Sequence, residues 1–222
     1  MTLLLKPGTD WHTVTDTARR LAPEAFDSDR IRNLIGGDWR SVGTTGEHVS
    51  PVDQSPILGP PRVDHDTAVA AVADAVRQHR EWATVPLDDR VARVRAALDG
   101  LRDSRDAIAM LLVWEIGKPW KIACADIDRC IEGVEWYLGQ IGRQLEGRRP
   151  LSGPVSNIAS WNYPLSVLVH AELVQLLAGN AVIAKTPSQG GFHALTLAHA
   201  MMARAGLPVT LLSGVGAELA DA

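Results

Sequence analysis

The chain has 222 residues, 46% of them hydrophobic and 22% charged, with a formal net charge of −4 and a pI near 6.0. These are the proportions of an ordinary globular protein, and the length allows one domain or two small ones. No basic stripe marks a nucleic-acid face, and the longest fully apolar run, 107–114, is too short to span a bilayer.

The start, MTLLLKPGTDW, lacks the basic flank and cleavage site of a secretory signal, so a cytoplasmic protein without nucleic-acid or membrane partners is expected. Residues 1–30 read as a mixed polar N-terminal arm that admits a helix over 14–21. Residues 33–50, NLIGGDWRSVGTTGEHVS, place glycine pairs and turn formers around short apolar strips, the pattern of a β-hairpin. The proline-rich stretch 50–66 follows as loop or edge strand. Next, Val69, Val72, Ala73 and Val76 recur at helical spacing, with Asp64 or Asp66 available as cap. Val91, Val94, Leu98 and Leu101 form a second stripe, and Gly117 and Pro119 punctuate the helices it belongs to. KIACADIDRCIEGVEWYLGQIGRQL, residues 121–145, continues as one long amphipathic helix.

Two cysteines are too few for a disulfide scaffold. Cys124 and Cys130 lie six residues apart on a helix, which is about 9 Å of rise, so they read as separate packed thiols. The seven histidines show no zinc spacing, and no metal is expected; all read as surface or packing residues.

From residue 155 the period changes. VSNIA, AVIA and VTLLS look like buried strands. Between them run two helices, the first with Pro164 in its opening turn, Gly179 at its C-cap and an inner stripe of Leu165, Leu168, Val169, Leu173 and Leu176. The second is closed by Gly206. Strand–helix–strand–helix–strand with short connections predicts an α/β fold, a Rossmann-like parallel sheet with flanking helices, plus the N-terminal β-hairpin. The G-x-G-x-x-G phosphate fingerprint is absent from the first turn, which reads SWNYP. GVGAEL at Gly214 is a partial match, and two glycines alone suit any strand-to-helix turn.

WNYPL, LAGNAVIAK, AGLP and SGVG, in that order, with LIGGDW and EIGKP upstream, resemble the motifs of the aldehyde dehydrogenase superfamily. The resemblance covers roughly residues 31–222. It implies a domain at 31–222 that is the N-terminal, cofactor-binding half of such an enzyme, with the start of an oligomerisation hairpin near 140–157. The implied cofactor is NAD or NADP and the implied substrate an aldehyde. In that family a thiolate attacks the aldehyde, the resulting oxyanion passes hydride to the cofactor, and water cleaves the thioester.

Residue by residue, the resemblance implies that Asn162 donates its side-chain amide to the oxyanion; removing one such donor typically costs about 2.7–4 kcal/mol of transition-state stabilisation. The plainer alternative is that Asn162 caps a helix. Lys185 is implied to hydrogen-bond the adenosine ribose, its three donors suiting two adjacent hydroxyls; the alternative is an exposed lysine at a strand end. Ile158, Ala159, Ser160 and Trp161 would line the nicotinamide side of the cleft, with Trp161 equally suited to the core. Gly214 and Gly216 would let backbone approach the adenine end. Asn162 and Lys185 are therefore expected to face one crevice.

Two departures bear on the chemistry. Ser160 stands where the family has proline. After Lys185, many relatives read K-P-[SA]-E, and that glutamate grips the ribose and repels a 2′-phosphate; here KTPSQ puts neutral Gln189 in that role. NAD and NADP both stay open on this reading. The family's nucleophilic cysteine and general-base glutamate lie downstream of the SGVG turn, so these 222 residues are expected to be a truncated half, inactive alone. A non-catalytic nucleotide-binding or dimerisation module and a degenerate remnant are the alternatives. An uncovered apolar face near 207–212 is expected to drive homo-oligomerisation or pairing with a complementing second half.

Overall fold

The computed structural model describes residues 8–27 and 29–219. The apolar start of the chain, on which the signal-peptide reading rests in part, lies outside the described residues.

Helix α1 (Trp11–Leu21) begins where the Asp10 carboxylate accepts the Thr13 N–H at 2.8 Å. It buries Val14, Thr15 and Ala18, and Trp11 packs on Trp114 with ring centroids 6.3 Å apart. The arm is thus part of the core. The region 33–50 holds the expected hairpin in its first half and, in its second, one strand of another. β1 (Asn33–Ile35) and β2 (Asp38–Arg40) are joined by Gly36 and Gly37, both at positive φ, as a two-residue hairpin turn requires. β3 (Thr44–Val49) pairs instead with β4 (Pro56–Arg62), the proline-rich stretch. Pro56, Pro60 and Pro61 are tolerated because this sheet has two strands and every strand in it is an edge.

α2 (His65–Trp82) is capped by Asp64, but its buried stripe is Ala68, Ala71, Ala75, His79 and Trp82, not the predicted valines. Small side chains let this helix lie close to the sheet, while Val72 and Val76 turn toward a cavity described below. α3 (Leu87–Asp103) and α4 (Arg105–Ile116) follow, the latter closed by Gly117 at φ 67°. The predicted 121–145 helix is broken at Gly139 into α5 (Trp120–Leu138) and the short α6 (Ile141–Gln144).

β5 (Val155–Ile158), β6 (Val182–Lys185) and β7 (Val209–Leu212) are the three predicted strands, and they pair in parallel. A π-helical segment, Pro164–Val169, runs into α7 (His170–Leu177), where one continuous α-helix was expected. Its predicted stripe, Leu165 to Leu176, is buried as expected. α8 (Phe192–Arg204) joins β6 to β7, and α9 (Gly216–Leu219) follows β7. The five-stranded sheet has the order β2-β1-β7-β6-β5. Strand alternation divides the core: Val182, Ala184, Val209 and Leu211 face the main cluster with α7 and α8, whereas Ile183 and Leu212 face α2.

Two expectations need correction. No strand or ladder forms within 140–154: α6 and a turn occupy its start, and β5 pairs in parallel with β6 instead of returning as a hairpin. The segment 207–212 is not uncovered either. Leu207, Val209, Leu211 and Leu212 are buried, because β1 lies antiparallel on the outer edge of β7 with Leu34 opposite Leu211. Among the described residues no helix is long and apolar enough to cross a membrane.

Candidate functional site

The carboxyl ends of β5 and β6 are tied together, since the Ala159 N–H donates to the Lys185 carbonyl at 3.0 Å. Beside that tie opens a cavity of about 670 Å³. Ile158 and Lys185 line it together with Ile183, Leu212, Gly216 and Leu219 from the sheet side, and Val72 and Val76 cross from α2. The Ile158 side chain is 79% exposed there. Lys185 is half-buried, burial pushes its pKa down, and the only bond its ammonium makes to a described residue is to the Thr186 carbonyl at 2.9 Å. A second cavity of about 260 Å³ adjoins at Gly216 and is lined by Pro60, Arg62, Thr186, Ser188 and Gly214.

The structure thus gathers Ile158, Lys185, Gly214 and Gly216. Ala159 is buried beneath the turn and contributes backbone. Ser160, Trp161 and Asn162 lie past the strand end and line neither cavity; Trp161 is half-exposed. The crevice expected to be shared by Asn162 and Lys185 is lined by Lys185 and not by Asn162, which lies four residues beyond Ile158 in the chain. Gln189 is exposed and lines neither cavity. Its neighbour Ser188 lines the smaller cavity together with Thr186 and Pro187.

Asn162 does not cap the helix. The residue at the cap is Tyr163, with no side-chain cap bond. The Asn162 Oδ1 instead accepts from the Ser160 hydroxyl. That contact fixes the amide so that Nδ2 points away, with no hydrogen bond to a described residue. Serine in place of proline thus restrains the asparagine directly.

Sequence reasoning missed how the turn is held. The Lys118 Nζ donates to the Asn162 carbonyl at 2.7 Å and to the Asp126 carboxylate at 2.8 Å. It also lies 3.9 Å from the Tyr163 ring centroid. The other Asp126 oxygen accepts the Ser166 N–H at 2.8 Å. Lys118 and Asp126 are both buried, and burial lowers the Lys118 pKa against the opposing pull of Asp126. One motif, EIGKP, carried a signal: a lysine beside a helix-ending glycine, with an acid eight residues on.

Cys124 and Cys130 are free and buried, and burial pushes both thiols up. Among the described residues no three His, Cys, Asp or Glu side chains gather as a metal site. A cavity with apolar walls and one lysine carrying two uncommitted donors fits the adenosine end of a dinucleotide: the base needs apolar contact and the ribose needs donors. Its volume falls within the range of about 300–1,000 Å³ common for small-molecule sites.

Residues 39–222 match the sequence model described as the aldehyde dehydrogenase family. The chain is 34% identical over 185 residues to the bifunctional protein PutA of Salmonella typhimurium LT2, covering 78% of this chain and 14% of PutA. Its fold is similar to a NAD-dependent benzaldehyde dehydrogenase from Corynebacterium glutamicum, with TM-score 0.77 and 24% identity over 88% of this chain and 46% of that one. It is also similar to an NADP-dependent glyceraldehyde-3-phosphate dehydrogenase from Bacillus halodurans C-125 solved with NADP, with TM-score 0.77 and 23% identity over 86% of this chain and 45% of that one. The chain spans less than half the length of each of these three proteins.

Proposed function

The chain belongs to the aldehyde dehydrogenase family, and from that premise we propose that it provides the cofactor cleft and the oxyanion donor for NAD(P)-dependent oxidation of an aldehyde to a carboxylic acid. Lys185 donates to the ribose hydroxyls. Ile158 and the α2 valines form the apolar wall, and Gly214 and Gly216 leave room for close backbone approach. A nicotinamide dinucleotide bound here supplies the hydride acceptor. Asn162, held by Ser160 and by Lys118 through its carbonyl, presents Nδ2 to the oxygen on which negative charge develops.

Neither cysteine serves as nucleophile. A thiolate is the attacking form, and burial holds both thiols protonated. The thiolate and general base are therefore assigned to a complementing segment or subunit, and this chain alone is expected to be inactive. The buried cysteines equally favour the second reading, a non-catalytic dinucleotide-binding module. The reading rests on one observation: Ile158 and Lys185 share a 670 Å³ cavity at the carboxyl ends of adjacent parallel strands. Calorimetric titration with NAD⁺ and NADP⁺ tests it. Saturable binding that weakens about tenfold in Lys185→Ala is expected, the loss of about 1.4 kcal/mol of contact; absence of binding by either dinucleotide overturns it. An aldehyde-dependent rise in absorbance at about 340 nm from the chain alone would overturn the expected inactivity.

A further inference from the structure

We propose that Arg62 recognises the 2′-phosphate of NADP, so that this cleft prefers NADP⁺ to NAD⁺; the inference rests on the cleft being a dinucleotide site. The two cavities meet at Gly216. Lys185 lines the larger, and the chain continues from it through Thr186 to Ser188 along the smaller, which Arg62 also lines. A phosphate on a ribose held by Lys185 thus has beside it a small compartment in which Arg62 is the one charged side chain among the described lining residues.

The Arg62 guanidinium makes no hydrogen bond or ion pair with a described residue, whereas Arg102 is paired with Asp99 and Arg204 with Glu24. No carboxylate is among the described residues that line either cavity, and the 2′-phosphate carries about −1.5 to −2 charges at neutral pH. The planar guanidinium fork suits phosphate oxygens.

The position of Arg62 is built into the fold. It is the last residue of β4, and the next N–H, that of Val63, donates to the Ser213 carbonyl at 2.8 Å. Buried Asn33 clamps both chains, donating to the Pro61 carbonyl at 2.9 Å and accepting the Ser213 N–H at 3.0 Å. The β3–β4 hairpin is thereby fixed to the end of β7, and the arginine is delivered from a segment more than a hundred residues before the strand end it faces.

Calorimetry of the chain with NADP⁺ and NAD⁺ at low salt tests this. NADP⁺ is expected to bind at least about tenfold more tightly, with the difference shrinking as salt screens the contact. Arg62→Ala should bring the two dinucleotides to within about twofold of each other while leaving NAD⁺ binding unchanged, and Arg62→Lys should keep part of the preference. Circular dichroism confirms that each variant is folded, and Arg62→Gln repeats the test should the alanine variant unfold. NAD⁺ binding as tightly as NADP⁺, or a preference that survives Arg62→Ala, overturns the inference while leaving the cleft intact. Binding of neither dinucleotide overturns the inference together with the cleft reading beneath it.

Discussion

Lys118 shows what a single buried charge does for the site. It reaches two acceptors, Asp126 and the Asn162 carbonyl, that belong to different elements. Replacing it by methionine keeps most of the volume but strands Asp126, which is fully buried. Breaking a buried pair on one side costs about 3–5 kcal/mol, whereas replacing both partners by apolar groups is often close to neutral. Urea unfolding of Lys118→Met should show that loss, and Lys118→Met/Asp126→Leu should recover most of it. A single variant within about 1 kcal/mol of the parent would show that the pair does not hold the turn. His199 offers a second test at this scale. Burial opposes its charge, but the Glu172 carboxylate 3.2 Å away and the Leu195 carbonyl outweigh burial and raise its pKa above 6.5. A raised folded-state pKa stabilises fully below the unfolded value and is lost as pH climbs through the folded one. Melting temperature should therefore fall from pH 6 upward through the alkaline range more steeply in the parent than in His199→Gln; equal slopes would remove His199 from the account.

At the scale of elements, α8 is capped from outside its own segment. Gly191 precedes it without a side chain, and Glu115 at the end of α4 fills the place. One Glu115 oxygen accepts the His193 N–H and faces His193 Nδ1, both at 2.8 Å, and the other accepts the Ala194 N–H at 3.2 Å. Glu115→Ala removes a helix cap and leaves a buried histidine donor without a partner, about 1 and 1–3 kcal/mol respectively. A loss of about 3 kcal/mol in chemical unfolding is expected, and a loss below about 1 kcal/mol would mean α8 is held by packing alone. Such tertiary caps explain what the sequence did and did not disclose. β5, β6, β7 and the helices between them were legible because apolar period and glycine or proline punctuation are local signals. Lys118–Asp126, Glu115 over α8, and Arg62 beside Ser188 were not, because each joins side chains that only the fold brings together. The α2 stripe was misread for a related reason. Valine outranks alanine in hydropathy, but close helix-to-sheet approach selects alanine at Ala68, Ala71 and Ala75. Gln189 stays outside both cavities, while Ser188, one residue earlier, lines the smaller one.

For the whole molecule, the five-stranded sheet ends in an open edge. β5 is the last strand and pairs on one side with β6. Ile158 is 79% exposed on it, and Trp161 follows at 50%. An open edge flanked by large apolar groups is a template for another strand. Self-association of this chain, or capture of a complementing segment, is therefore expected at the β5 end, and not at residues 207–212, where β1 already covers the sheet. Val155 and Ala159 donate their N–H groups inward to β6, at 2.9 Å to Ala181 and 3.0 Å to Lys185. Alternation along a parallel strand then turns the Ser156 N–H to the open side. Ser156→Pro removes that outward donor without taking a bond from the existing ladder. Light scattering of the parent should give a mass well above the 23.9 kDa of one chain, and Ser156→Pro should move it toward a single chain with circular dichroism unchanged. A parent that scatters as a uniform single chain at micromolar concentration would mean that the β5 edge, despite its exposed isoleucine and the tryptophan that follows it, recruits no partner of its own kind.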